Sequence, residues 1–316
     1  RNYFFNWYSY YEKPVQLFSG NTTTNDDGSF TVAFFAKPDE TKKIDSSSYF
    51  TYTVYADVTD ITGETHSATV STSIGSVGVK GDVYFPEKIN ADSARDYEIH
   101  TTNLNDVFVP AICNVKIFDL KEPTQMLRDR LWQQPDRFTM TKEEYKTNFP
   151  NDVYSNEDKR ENWERVSMVV NRNFSTQTEK VFPKALLKNL QPGVYCAEIS
   201  AMDKKGNHIT QKKYFSIFNS SAQAPEKNLL WSDDVKYFSK IGETLHWHLA
   251  PAAQDQFVLI EYNWQGNLEK REWKKLNLGM NTIDIPVIAA FDKNFSVSVC
   301  AFGNNSFSSS FHTVSV

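Results

Sequence analysis

The side chains best placed to do chemistry are two histidines flanking a tryptophan, His246-Trp247-His248. Residues two apart on a strand face the same side, so two imidazoles at this spacing form a clip for Zn or Cu. The clip lacks a third ligand, and the simpler expectation is a pair of surface histidines beside a core tryptophan, with no metal bound. Carboxylates gather at Glu157, Asp158, Glu161 and Glu164, and a pair of them could hydrolyse a glycoside. They alternate with Lys159, Arg160 and Arg165, the pattern of a solvated, ion-paired face. Asp60 and Asp203, with Asp57 and Glu64, are the calcium candidates, yet no D-x-D-x-D-G loop surrounds them and turn capping is the better reading. No serine sits in Gly-x-Ser-x-Gly, and no glycine-rich phosphate loop precedes a helix. The expectation is a protein that is not an enzyme and uses no cofactor.

Composition narrows the class further. The net charge is −5 and the basic residues are scattered, which leaves no footprint for a nucleic-acid backbone. No run of eighteen apolar residues occurs, and Arg1-Asn2-Tyr3-Phe4-Phe5 is too polar and short for a signal-peptide core. The reading is either a cytosolic protein or a processed or excised piece of one that is exported. Cys113, Cys196 and Cys300 lie in no metal-binding spacing and read as small buried apolar side chains. A single bridge between Cys113 and Cys196 stays open.

The elements that must carry these residues are strands. Abundant Tyr, Phe, Trp, Val and Thr favour a pleated surface, and alternating runs such as Ser29–Phe34 and Tyr49–Val58 each turn one face to a core. The segment Tyr52 to Gly63 matches Tyr195 to Gly206 at an offset of 143, with Asp60 and Asp203, and then Ile74 and Ile217, in register. Each copy reads as a hairpin whose Asp caps the turn and whose Gly, Gly63 or Gly206, supplies a positive φ. Leu190-Gln191-Pro192-Gly193-Val194-Tyr195 is a turn delivering a tyrosine to a strand start, as a tyrosine corner does. A weaker third copy has Gly303 where the Asp would stand.

These signals imply an all-β chain of three tandem antiparallel β-sandwich domains of the fibronectin or Ig-like kind, at residues 1–75, 76–222 and 223–316. The first offers about five strands, fewer than a full sandwich. Small polar residues and Pro at Asn219–Pro225 make the second join a linker. Residues 119–170 interrupt the middle domain. There, Pro123–Trp132 has helical spacing and Thr141-Lys142-Glu143-Glu144 is a capping box. Trp7, Tyr8, Tyr10, Tyr11 and Trp273 are aromatics that could form a sugar-stacking platform, although a sheet core accounts for most of them.

Three stretches of this text resemble the macroglobulin-like domains of bacterial alpha-2-macroglobulin family proteins. They are Gly20–Val32 followed by Val58–Thr65, the Leu-x-Pro-Gly-x-Tyr phrase with Phe149–Tyr154 and Trp163, and the opening of the third domain at Val235–Leu245. The resemblance implies a fragment of a large protein of the periplasm or cell surface that inhibits endopeptidases by conformational trapping. Its implied partners are proteases, met through the parent protein, and other domains of the same chain. Nucleic acid is not among them, and a membrane would be met only through an anchor elsewhere in the parent. The Cys-Gly-Glu-Gln motif of thioester-bearing members is absent around all three cysteines, and no bait segment is recognisable. The rival expectation is an Ig-like carbohydrate- or protein-binding module of a surface uptake or adhesion system.

Overall fold

The protein is described here from a computed structural model covering residues 15–41, 48–128, 130, 133–203, 205–206, 208–220, 223–291, 293–303 and 305–316. The chain divides into two compact units, Arg1–Val77 and Gly78–Val316.

In the first unit, β1 (Tyr49–Thr59) and β2 (Thr65–Gly75) form a hairpin paired without interruption from Tyr49↔Gly75 to Thr59↔Thr65. One face is stitched by hydroxyl pairs, Thr51–Ser73 and Thr53–Ser71 at 3.0 Å and Thr59–Thr65 at 2.8 Å. On the other face Tyr52 is buried, its ring 5.7 Å from that of Phe34. The alternating run Ser29–Phe34 does not form the expected strand. An alternating pattern selects a face, but a strand also needs a neighbour to complete its ladder. Among the described residues of this unit only β1 and β2 are strands.

Gly78–Val316 holds two sandwiches, each with its own core. The first is built from β3 (Lys80–Val83), β4 (Lys88–Asn90), β5 (Tyr97–Thr102), β6 (Ile112–Lys121), β7 (Glu164–Ser175), β8 (Val181–Phe182), β9 (Gly193–Met202) and β10 (His208–Phe218). Sheet β4-β10-β9-β6-β7 faces sheet β3-β5-β8. Between them lie Ile99, Val115, Ile117, Phe174, Phe182, Ile199, Phe215 and Ile217, all at most 3% exposed. The pairing is antiparallel except that the short β4 runs parallel to β10.

The second sandwich contains β11 (Leu230–Ser232), β12 (Thr244–Pro251), β13 (Gln256–Trp264), β14 (Asn267–Leu276), β15 (Asn281–Pro286), β16 (Asn294–Gly303) and β17 (Ser306–Ser315). Its sheets, β11-β12-β15 and β14-β13-β16-β17, enclose Trp247, Leu249, Ile260, Ile285, Phe295 and Val297. Every described pairing of strands here is antiparallel. The molecule is therefore all-β, with tandem Ig-like sandwiches.

The interruption between β6 and β7 is narrower than its charge-rich text suggests, because the strands continue pairing out to Lys121↔Glu164 through two register shifts. It occupies residues 122–163. The capping box at Thr141 and Glu144 starts α1 (Lys142–Asn148), with both reciprocal hydrogen bonds made. The helical spacing of Pro123–Trp132 is not realised over Pro123–Arg128. Arg128 instead forms a parallel bridge with Asp152, ion-pairs with its carboxylate and donates its N–H to Asn151 O at 2.7 Å.

Candidate functional site

β12 puts His246 and His248 on one face, as a period of two requires, and then their surroundings part. His246 is exposed, with Nδ1 2.8 Å from Asp284 Oδ1 on the neighbouring β15. His248 is buried, a correction to its reading as a surface residue, and its Nδ1 lies 2.6 Å from Asp233 Oδ2. The second Asp233 oxygen accepts the His248 N–H at 2.8 Å, and the Asp233 carbonyl accepts Trp247 Nε1–H at 3.2 Å. Both imidazoles are thus engaged by carboxylates. Among the described residues no group of three His, Cys, Asp or Glu could hold a metal.

The turn positions behave as backbone devices. Asp60 Oδ1 accepts from Thr62 N, Thr62 Oγ1 and Glu64 N at 2.7–3.0 Å, which holds its carboxyl below the usual range. Gly63 sits at φ +89 and Gly206 at φ +85, the left-handed region that glycine enters without steric cost. Asp203 Oδ1 accepts from Lys205 N at 2.8 Å, and its carbonyl accepts the Gly206 N–H. Tyr195 donates its hydroxyl to Gln191 O at 2.6 Å, closing a tyrosine corner, and burial pushes its phenol up to about 12. Gly193 is the first residue of β9, paired with Ile217, and is not among the positive-φ residues.

Cys113 and Cys196 are free and lie on opposite faces of their sheet. Cys113 pairs with Ala201 of β9, five residues from Cys196, so the open question of a bridge is answered by a separation of about 17 Å along the strand. Of the carboxylates in the interruption, Glu157 contacts Lys142 at 2.9 Å and Glu164 contacts Lys121 at 3.5 Å, as an ion-paired face would have it. Trp7, Tyr8, Tyr10 and Tyr11 lie outside the described residues, and Trp273 is exposed.

What the motifs do not reveal is a seam between the two sandwiches of Gly78–Val316. Asp92, beside β4, accepts from Ser220 N at 2.9 Å and Ser220 Oγ at 2.7 Å, fixing the chain as it leaves β10. Farther along the join, Arg160 Nη2 donates to both oxygens of Glu226 at 2.6 and 2.7 Å. The next residue, Lys227, gives its backbone N–H to the Glu122 carboxylate and its Nζ to Pro123 O and Thr124 O, both at 3.2 Å. Burial raises the Glu122 carboxyl, and the Lys227 N–H opposes that rise.

On the apolar side Phe218, the last residue of β10, packs edge-on against Trp231 of β11 at 4.8 Å and against the His248 ring at 5.7 Å. Lys88 reaches across to Asp234 at 3.2 Å, Arg128 Nη1 reaches Asn305 O at 3.4 Å, and Met126 packs on the core of the last sandwich. The residues fastening the join come from the linker, the interruption and both sandwiches. A charged Glu226-Lys227 pair in an otherwise small, polar stretch was the available sequence signal.

No protein family matches the chain's sequence, and no curated protein matches it. Among solved structures, the chain is similar to a tetra-tandem repeat from the extending region of a large adhesion protein, at 13% identity and TM-score 0.25 over 85% of this chain and 57% of that one. It is similar to native E. coli alpha-2-macroglobulin at 10% identity and TM-score 0.28, over 85% of this chain and 20% of that one. Fibronectin(III)-like modules of Clostridium thermocellum CbhA match at 9% identity and TM-score 0.23, over 74% of this chain and 92% of theirs. The chain thus spans just over half of the first and a fifth of the second. At these TM-scores the sandwich assignment rests on the strand pairing above. No helix among the described residues is long and apolar enough to cross a membrane.

Proposed function

We propose that this chain is a non-catalytic framework segment of a larger cell-envelope or cell-surface protein, in which Gly78–Val316 presents two sandwiches in one fixed relative pose. The observation that carries this reading is the seam. A flexible tether between two Ig-like modules needs no specific contacts, whereas here the join is gripped by Asp92, Arg160, Glu122 and the carbonyls of Pro123 and Thr124.

In its finer form the proposal follows the sequence resemblance. The segment is part of the frame of an alpha-2-macroglobulin-like endopeptidase trap, and the frame moves as rigid pieces when a protease cuts elsewhere in the parent. The test is to incubate the parent protein with a panel of endoproteases and follow residual protease activity on large and small substrates. Activity lost on large substrates and kept on small ones after a single early cut supports the trap. Unrestrained degradation with no change in activity sinks it and leaves the rival reading, a ligand-binding module, for which exposed Trp273 is one available aromatic.

A further inference from the structure

The last sandwich ends one of its sheets on two edge strands that differ in kind. β14 carries Lys270, Arg271, Glu272, Lys274 and Lys275, the charges that protect a sheet edge from adding another strand. β17, Ser-Phe-Ser-Ser-Ser-Phe-His-Thr-Val-Ser, carries no carboxylate, lysine or arginine and no proline. Its outward backbone direction is fixed at one end, where Ser315 N–H bonds Tyr237 O and Ser315 O accepts Ser239 N–H, away from β16. The pairing with β16 is continuous, so alternation points the backbone groups of Phe307, Ser309 and Phe311 the same way. Among the described residues these groups have no hydrogen-bond partner.

The open stretch is bounded on both sides by the chain itself. Arg128 Nη1 takes Asn305 O before it, and the Tyr237–Ser239 segment takes Ser315 after it. Thr313, which also faces outward, adjoins the Tyr237–Ser239 segment, and Ser309 is the middle of the three outward residues farther from it, Phe307, Ser309 and Phe311. The side chains of the same residues stand on the outer face of the sheet, where Phe302, Phe307 and Phe311 are 60%, 54% and 64% exposed and the Phe302 and Phe307 rings lie 4.9 Å apart.

From this geometry we infer that β17 pairs, antiparallel and about a two-fold axis at Ser309, with β17 of a second copy of this chain. The strand is self-complementary in that register. Phe307 falls opposite the partner's Phe311 and Phe311 opposite the partner's Phe307, two aromatic cross-strand pairs with no like charges facing each other. Antiparallel self-pairing of β14 about Glu272 would instead set Lys270 against Lys274 of the other copy. Four half-exposed phenyl rings and two five-residue strands amount to an interface on the order of 1,000 Å², the lower end for specific association. The dimer is accordingly weak and concentration-dependent, and the inference stands or falls independently of the trap reading.

Sedimentation velocity on the 316-residue chain tests it. The expected result is a reversible monomer–dimer equilibrium with a dissociation constant on the order of 10–100 μM. Phe311→Lys should weaken it at least about ten-fold with the near-UV circular dichroism unchanged, and Trp273→Lys on the far edge strand should leave it alone. In a Cys300→Ser background, which removes the thiol paired across from Ser309, Ser309→Cys should give a disulfide-linked dimer on mild oxidation and Thr313→Cys should not. A chain monomeric at every concentration, a dimer indifferent to Phe311→Lys, or equal cross-linking at 309 and 313 would overturn the inference.

Discussion

At the scale of single residues, His248 and His312 belong to one sandwich and answer to pH in opposite directions. The Asp233 hydrogen bond raises the His248 pKa against the opposing effect of burial. A raised folded-state value means stability that is complete below histidine's ordinary pKa and lost as pH rises through the folded one. His312, packed edge-on to Trp247 at 5.3 Å, is pushed down by burial, so it withdraws stability as pH falls through the ordinary value toward the lowered one. Asp233→Asn keeps an acceptor for the backbone N–H and removes the charge. Its loss, about 1.5–3 kcal/mol, should be concentrated at acid pH and shrink toward pH 9, read as the shift in urea midpoint across that range. An equal loss at both ends would show that the carboxylate acts on packing rather than on the proton.

Among the secondary-structure elements, the hairpin with an Asp-x-x-Gly turn is used twice by the chain. The pair Phe50↔Ile74 in the first unit and Gly193↔Ile217 in the first sandwich of the second unit are related by the same offset, 143, that aligns their turns in the sequence. That register was legible because a two-residue period and an Asp-x-x-Gly turn are local properties, fixed by Asp60, Gly63, Asp203 and Gly206 without reference to distant chain. Gly206→Ala places a Cβ at φ +85, where there is open space but an unfavourable backbone, so the expected cost is about 1–2 kcal/mol in unfolding free energy with an unchanged fold. Tyr195→Phe should cost about 1 kcal/mol for the corner hydrogen bond, with the same readout. Ser29–Phe34 forms no strand for the complementary reason, since alternation is local but the partner strand is not. Pro123–Arg128 shows the same limit: its spacing is helical, while its conformation is fixed by Asn151 and Asp152 more than twenty residues away.

At the scale of the whole molecule the pose of the two sandwiches depends on contacts that no local pattern announces. Arg160 and Glu226 are 66 residues apart, Glu122 and Lys227 are 105 apart, and Arg128 and Asn305 are 177 apart. Read by composition, Asn219–Pro225 is a linker, and Ser220 even has the size and polarity of one, yet Asp92 holds it. Glu226→Ala leaves the Arg160 guanidinium without its partner and removes one grip, while Lys227→Ala removes the bonds to two carbonyls. The double variant should keep both cores and lose the fixed pose. Small-angle scattering of Gly78–Val316 should then show a broadened distance distribution, and limited proteolysis should cut faster between Phe218 and Leu230. Scattering indistinguishable from the unsubstituted chain would mean that the remaining contacts, Phe218 on Trp231, Asp92 with Ser220 and Lys88 with Asp234, set the pose without these two side chains.

The interruption between β6 and β7 touches the last sandwich through Met126 and Arg128 and the join through Glu122, Pro123, Thr124 and Arg160, while contributing no residue to the large core of the sandwich it interrupts. Insertions and deletions accumulated there over generations, between the anchoring residues, would leave the large core of that sandwich untouched and would still re-aim everything downstream. A lineage could vary the reach and angle of such a framework by editing one surface excursion, and leave both of its cores ancestral.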